Sequence, residues 1–194
     1  MDRVMRSLNV FRFLQARHGA TAVEFALAIG AFLTLVLASV DLSLFSFEQQ
    51  RLQAAARAAA RTASTTPVVA ESFRTASDGY AAGEVVPAGD VADVTCTGRS
   101  GSFTCDRGGV NQSAAQLILA SARRHVPDLA PSELEITYSH IGLGRVGDAI
   151  GFGMDPAITV TITGRSYRPL SLAVFESEVA LGRVSVTFNA EDMS

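Results

Sequence analysis

The feature that most constrains this chain is a run of 21 residues, 20–40, with a single charged side chain, Glu24. About 20 apolar residues in a helix span the roughly 30 Å hydrocarbon core of a bilayer. Residues 1–19 carry four arginines and one acid, and Asp41 closes the run. From the length of the run we expect residues 20–41 to form a transmembrane helix. Because positive charge is retained on the cytoplasmic side, the N-terminus would be cytoplasmic and the C-terminal part extracytoplasmic.

The overall composition excludes several classes of protein. The chain has 194 residues, of which 48% are hydrophobic and 18% charged. That is enough apolar material for a core and argues against intrinsic disorder. Two cysteines are too few for a disulfide-dense miniprotein. The net charge of -3 gives no general basis for binding nucleic acid, so we expect no such partner.

Simpler interpretations of the apolar run leave one residue unexplained. A cleavable secretory signal has 7–15 apolar residues before its cleavage site, whereas this run is longer and residues 38–41 make a poor site. An uncleaved signal anchor accounts for the length and the orientation but not for Glu24. An acidic residue near the centre of a membrane helix costs about 3 kcal/mol, and less near its end. Glu24 therefore either reaches the headgroups or has a partner.

The residues around Glu24 resemble a known processing signal. The string HGATAVEF, residues 18–25, follows an arginine-rich leader and opens the apolar run. It resembles the class III signal of type IV pilin-like proteins, which a prepilin peptidase cuts on the cytoplasmic side after the glycine. The longer string RHGATAVEFALAIGAFLTLVL, with the later QQRLQAAARAAARTAS, resembles the TadE-like pseudopilins of the tight-adherence (Tad, or Flp-type) pilus. The resemblance covers about residues 16–64.

This resemblance implies roles for four residues. Residues 1–19 would be a cleaved leader, with Gly19 its last residue and Ala20 the new N-terminus. Glu24, followed by Phe25, would then be the fifth residue of the mature chain. In pilin-like assemblies this carboxylate pairs with the N-terminal amine of a neighbouring subunit. A charge buried without such a partner would be strongly unfavourable.

The resemblance also implies a function and a set of partners. The chain would be a minor pilin, or pseudopilin, needed for assembly of the pilus and held in the bacterial inner membrane by one span. Its partners would be the prepilin peptidase, a sister pseudopilin, the major Flp pilin and the inner-membrane assembly platform. The major subunit of such pili is a short peptide, usually with Glu-Tyr, whereas this chain has Glu24-Phe25 and a much larger domain. It is therefore expected to be a minor component.

The remaining sequence predicts an α+β domain with a pilin-like long N-terminal helix. Residues 42–64 contain no Gly or Pro and are rich in alanine, so the helix should continue beyond the membrane until Thr65-Thr66-Pro67. Residues 65–194 would form the periplasmic or extracellular domain. The patterns predict an irregular stretch, a second helix, three alternating strands whose threonine-rich face sees solvent, and a short helix or membrane-proximal segment. These lie at residues 65–110, 112–125, 134–140, 158–163, 184–189 and 168–181, respectively.

Chemistry-bearing residues are few. Cys96 and Cys105 enclose eight residues and, outside the inner membrane, favour a small disulfide loop. Further ligands at zinc spacing are lacking, and so is a CxxC motif. His140 could be paired with Asp148 or Asp155, but no nucleophile motif accompanies them, so we expect a surface or lightly packed histidine. We expect no catalytic residue, metal, cofactor or small-molecule substrate, and we interpret the glycine-rich residues 142–156 as a mobile connection.

Some alternatives stay open at this point. Arg51, Arg57 and Arg61 either form a solvated face or contact headgroups and a nearby sheet, or they pair with acids such as Asp41 or Glu48 of another subunit. The protein could instead be an uncleaved, membrane-anchored periplasmic binding or scaffold protein, which would retain residues 1–19. A membrane-tethered enzyme is a third possibility and would lose activity on changing His140 or Asp155.

Overall fold

The computed structural model describes residues 17–99, 101–142, 146, 156–171 and 177–189. They fall into two compact units. The first contains the chain up to Phe45 together with residues 168–177. The second contains residues 46–167 and the chain from Glu178 onward.

Helix α1, Arg17–Thr65, contributes to both units. Its sequence has no proline, and Pro67 follows its end. Two hydroxyl groups in its apolar part bond to carbonyl oxygens of the helix itself. Thr34 Oγ1 donates to Ala31 O at 2.8 Å, and Ser39 Oγ donates to Val36 O at 2.7 Å. These polar side chains therefore need no partner outside the helix.

The second unit contains seven strands and two α-helices besides α1 among its described residues. Their bounds are β1 Val94–Arg99, β2 Ser102–Cys105, β3 Leu134–His140, β4 Pro156–Ile162, β5 Ser166–Tyr167, β6 Val179–Ala180, β7 Val184–Asn189, α2 Glu71–Arg74 and α3 Gln112–Arg123. Five strands form an antiparallel sheet of order β2-β1-β3-β4-β7, and β5 pairs with β6 in a separate two-stranded sheet. The α+β fold class is confirmed.

The interpretation of residues 65–110 as irregular was wrong. They contain α2 and the hairpin of β1 and β2, in which Cys96 pairs with Cys105. Two glycines that look like breakers are part of this hairpin. Gly101 has φ +91°, in the turn, and a Cβ at Gly98 would clash with the backbone carbonyl of Pro131. Glycine is therefore required there by a close backbone approach within a strand.

Helix α3 is fixed at its start by side-chain hydrogen bonds. Asn111 Oδ1 accepts from the Ala114 N–H at 3.2 Å and so caps the helix. Gln112 bonds both backbone groups of Phe103, accepting from N at 3.0 Å and donating to O at 2.6 Å. The helix is thereby tied to the hairpin.

The core of the second unit combines small helical residues with large side chains from the sheet and from α2. On α1 the buried stripe consists of Leu52, Ala55, Ala56, Ala59, Ala60 and Ala63. Tyr138 on β3 is fully buried, lies 5.8 Å from the ring of Phe73 and accepts a hydrogen bond from Val69 N at 3.2 Å. This bond satisfies a backbone donor that follows the end of α1.

Two expectations about the sheet were wrong. Thr161, on the threonine-rich face, is only 2% exposed. Arg183 bonds Glu135 on β3 at 2.8 Å, and β4 lies between β3 and β7, so this ion pair crosses β4 near Thr161. His140 is buried rather than superficial, and its Nε2 donates to Val86 O at 2.7 Å.

The residues 143–145, 147–155 and 172–176 lie outside the described part of the chain, and with them Asp148, Asp155 and most of the glycine-rich connection.

Tyr138 should make the stability depend on alkaline pH. Burial raises its pKa from the ordinary value of 10 to about 12, against the opposing effect of the Val69 hydrogen bond. Because the native state favours the protonated phenol, its contribution is complete below a pH of about 10 and is lost as the pH rises toward 12. We expect urea unfolding to show a loss of about 3 kcal/mol across this window.

The control for this prediction is Tyr138→Phe. It should lack the alkaline step and be less stable at neutral pH by about 1–3 kcal/mol, because the Val69 N–H loses its acceptor. An equally steep decline in the variant would show that another group is responsible.

The disulfide offers a second test of stability. Cys96 and Cys105 are bonded, as expected, across the paired strands β1 and β2. Replacing both by alanine should lower the free energy of unfolding by about 2–3 kcal/mol, because the cross-link restricts the unfolded chain. Thermal unfolding with and without a reductant measures this. The reductant should destabilise the wild-type protein and leave the variant unchanged.

Candidate membrane and assembly site

The predicted processing site lies at the start of α1. Gly19 and Ala20 have helical backbone, and Glu24 and Phe25 follow in the same helix. Residues four apart lie on one face of a helix. Ala20 and Glu24 thus share a face, one turn apart.

The helix after this point presents an unbroken exposed surface. Every residue from Thr21 to Val40 is exposed, and burial begins only at Asp41. Phe25, Leu27 and Leu35 are each at least 67% exposed. Among the described residues, one helix is long and apolar enough to cross a membrane, and it contains this surface. The chain thus has a single-pass membrane anchor candidate near its N-terminus.

Glu24 is the single acid on this surface. Within the described residues it has neither an ion pair nor a hydrogen bond. None of the residues that the structure describes supplies it with a cation. A carboxylate in an apolar environment requires either a counter-charge or access to water. Glu24 therefore either has access to water or takes a counter-charge from outside the described residues.

Asp41 has a role that the sequence analysis missed. Its carboxylate accepts two backbone N–H groups, those of Leu170 and Ser171, each at 2.7 Å. The side chain is nearly buried, at 7% exposure, within the first unit. The acid that closes the apolar run therefore holds the segment after Pro169 against α1. A pairing across 129 residues leaves no local pattern that could have revealed it.

One of the three arginines on α1 is compensated within the chain. Arg51 Nη1 bonds Glu48 Oε1 at 2.8 Å, and its guanidinium also donates to His125 O. Arg57 and Arg61 are exposed and form no ion pair within the described residues. Both acids named as candidate partners in other subunits have partners inside the chain. Glu48 forms an ion pair with Arg51, and Asp41 accepts hydrogen bonds from two backbone amides.

The described residues contain no group of three or more His, Cys, Asp or Glu that could hold a metal ion. His140 Nδ1 is buried without a hydrogen-bond partner among them. The other ring nitrogen, Nε2, is bound to a backbone carbonyl. This histidine fixes the segment around Val86 onto the end of β3.

Most of α1 matches a known protein family. Residues 19–61 match the model of the family described as TadE-like protein. This part of the chain is therefore TadE-like. The matched segment begins at Gly19 and includes Glu24, the exposed apolar surface, Asp41 and all three arginines of the second half of α1. Neither the curated proteins nor the solved structures give a match.

The match covers most of α1 and none of the sheet. The segment ends four residues before the end of α1, at Thr65. The sheet, α2, α3 and the disulfide lie outside it.

The contact made by Asp41 can be tested by amide hydrogen exchange. In Asp41→Asn the side chain has one acceptor oxygen in place of two, and its NH2 group faces a backbone donor. A charge-assisted hydrogen bond contributes about 1.5–3 kcal/mol, so exchange at Leu170 and Ser171 should accelerate about tenfold or more. Ser43→Ala, which removes a hydroxyl bonded only to Ser39 O of the same helix, should leave both amides protected. Unchanged exchange in Asp41→Asn would contradict the assigned role.

Proposed function

We propose that this TadE-like protein is a minor pilin, or pseudopilin, required for assembly of a tight-adherence (Flp-type) pilus. The observation that carries the proposal is the position of Glu24 within the family-matched segment. It lies one turn after Ala20 and is the single acid on an exposed apolar helix surface. A plain membrane anchor has no need of this acid.

The first step of the proposed function is removal of residues 1–19 by a prepilin peptidase after Gly19. Cleavage would leave Ala20 with a free α-ammonium group at the membrane end of α1. The four arginines of the leader keep that end on the cytoplasmic side. The exposed surface that starts at Thr21 would remain as the anchor in the inner membrane.

The second step is pairing of charges between subunits. The Glu24 carboxylate would bind the Ala20 ammonium group of a neighbouring subunit in the assembly. Each charge alone would be costly in an apolar fibre core, whereas the pair offsets that cost and restricts how far one helix can slide past the next. Glu24 would therefore help to set the axial register, with Phe25 packed beside it.

The proposed partners follow from these steps. They are the prepilin peptidase, a sister pseudopilin, the major Flp pilin and the inner-membrane assembly platform. The first unit would serve the membrane and the helix contacts. The disulfide-bonded second unit would lie on the periplasmic or extracellular side, where disulfides persist.

The decisive experiment determines the N-terminal residue of the protein purified from host membranes, with and without the peptidase. We expect a chain beginning at Ala20 in the first case and one retaining residues 1–19 in the second. A chain that keeps residues 1–19 when the peptidase is present would favour an uncleaved, anchored binding or scaffold protein instead.

The role of Glu24 is tested separately in cleaved protein. Removing one partner of a buried ion pair costs about 3 kcal/mol or more, so Glu24→Ala should lower the assembled fraction about 100-fold. Pulldown with the other pilus components from host membranes measures that fraction. The control is Glu48→Gln, which removes a negative charge from the same helix outside the apolar surface. Normal assembly of a cleaved Glu24→Ala protein would refute the pairing.

A further inference from the structure

A groove lies in the second unit between α1 and the edge strand β7. Its volume is about 620 Å³. The lining residues are Ala54, Arg57, Ala58, Arg61, Ser64, His125 and Phe188. This set, named here the basic groove, contains two cationic side chains and no acid.

The two arginines of the basic groove repel one another without compensation. Arg57 and Arg61 are one turn apart on α1, where like charges destabilise a helix by a few tenths of a kcal/mol. The positions three and four residues from them on α1 carry Gln, Ala, Ser and Thr besides the arginines themselves. Arg51, by contrast, has Glu48 on the same helix. The positive charge of the groove is therefore available to an external anion.

The strand beside the groove is incompletely covered. Strand β7 pairs with β4 along one edge, and among the described residues no strand pairs with its other edge. Val186 and Phe188, on its apolar face, are only half-buried. Residues Val184–Asn189 contain no charge and no proline, the usual features that protect an exposed edge. The uncompensated arginines of the groove and the half-buried apolar face of β7 are both features that binding of a partner would cover.

The same unit carries a surface of complementary composition. Residues 75–93, named here the acidic loop, contain Asp78, Glu84, Asp90 and Asp93 and no basic residue. All four acids are exposed. Asp78 and Asp93 form no ion pair within the described part of the chain. Val85, next to Glu84, is an exposed apolar side chain, at 43%.

The acidic loop is held in a defined shape away from the groove. His140 donates to Val86 O, which fixes the loop at the end of β3. The Tyr80 hydroxyl donates to Asp90 Oδ2 at 2.8 Å, and Glu84 accepts from Ala81 N at 2.9 Å. Strand β4 lies between β3 and the groove strand β7. The loop and the groove are thus separate, preformed surfaces.

We propose that the basic groove binds the acidic loop of a second copy of this chain. The loop carboxylates would pair with Arg57 and Arg61, and Val85 would pack near Phe188. Because two different surfaces meet, the contact is head-to-tail and can repeat from copy to copy. The proposal goes beyond the proposed pilus role and holds whether or not residues 1–19 are removed.

A charge exchange between the two surfaces tests this contact in the full-length protein in detergent. The groove variant is Arg57→Glu with Arg61→Glu, and the loop variant is Asp78→Arg with Asp93→Arg. In the groove variant, groove and loop are both acidic. In the loop variant, the two new arginines offset the remaining acids Glu84 and Asp90, so the loop no longer attracts the basic groove. In a mixture of the two, the unchanged basic groove of the loop variant meets the unchanged acidic loop of the groove variant. We therefore expect contact to be lost in each variant and restored in the mixture.

Cysteine cross-linking reads out this contact independently of association through the membrane helices. Ala58→Cys places a thiol in the groove and Val85→Cys places one in the loop, and the native cysteines are already bonded to each other. Copies carrying either thiol, mixed in the wild-type charge background, should cross-link through these positions. Each charge variant should reduce the yield about tenfold or more. About 1 M salt, with a Debye length near 3 Å, should also reduce it.

Two controls separate the outcomes. Arg99→Glu with Arg107→Glu makes the same charge change on exposed arginines outside the groove and should leave the yield unchanged. Far-UV circular dichroism of every variant checks that the domain is folded. Absence of the wild-type cross-link, or a mixture no better than the separate folded variants, would overturn the proposal, even if the groove then binds another protein.

Discussion

The exposed apolar surface of α1 is the constraint on which the rest of the chain depends. Twenty consecutive residues, Thr21–Val40, have no cover within the described chain. Such a surface is stable only in lipid or against other apolar helices. The same helix must then enter water and build a core without interruption. It does so by changing its composition, from large apolar residues to the alanines of the stripe between Ala55 and Ala63.

This change of composition explains how the second unit packs. Alanine side chains are short, so the backbone of α1 can approach its neighbours closely, and the volume of the core comes from Tyr138, Phe73 and Phe103. At the boundary between the two regimes stands Asp41. A nearly buried carboxylate is tolerated there because two backbone amides donate to it. The transition is thus marked by a satisfied charge rather than by a break in the helix.

The sequence was informative where local periodicity decides the structure and silent where a distant approach decides it. Alternation identified β3 and β7 with the correct bounds, and the pattern over residues 112–125 identified α3. The hairpin of β1 and β2 was missed because Gly98 and Gly101 are typical of loops. Glycine is needed at position 98 of this strand because the backbone of Pro131 lies against it, which no local pattern can show. The burial of His140 was not predicted for the same reason. Its ring is bonded to the carbonyl of Val86, which lies 54 residues away in the sequence.

The candidate sites divide along the same line. Glu24 could be found from sequence because its meaning depends on spacing along one helix, from Gly19 to the apolar surface. The Asp41 contact and the basic groove depend on residues more than 100 positions apart, and only the fold brings them together. The face of α1 next to the alanine stripe lines the groove. On this face Arg57 and Arg61 stay exposed, because an unpaired charge in the core would be costly. One helix therefore has to satisfy a membrane, a core and a charged surface, each with a different stretch or face of its sequence.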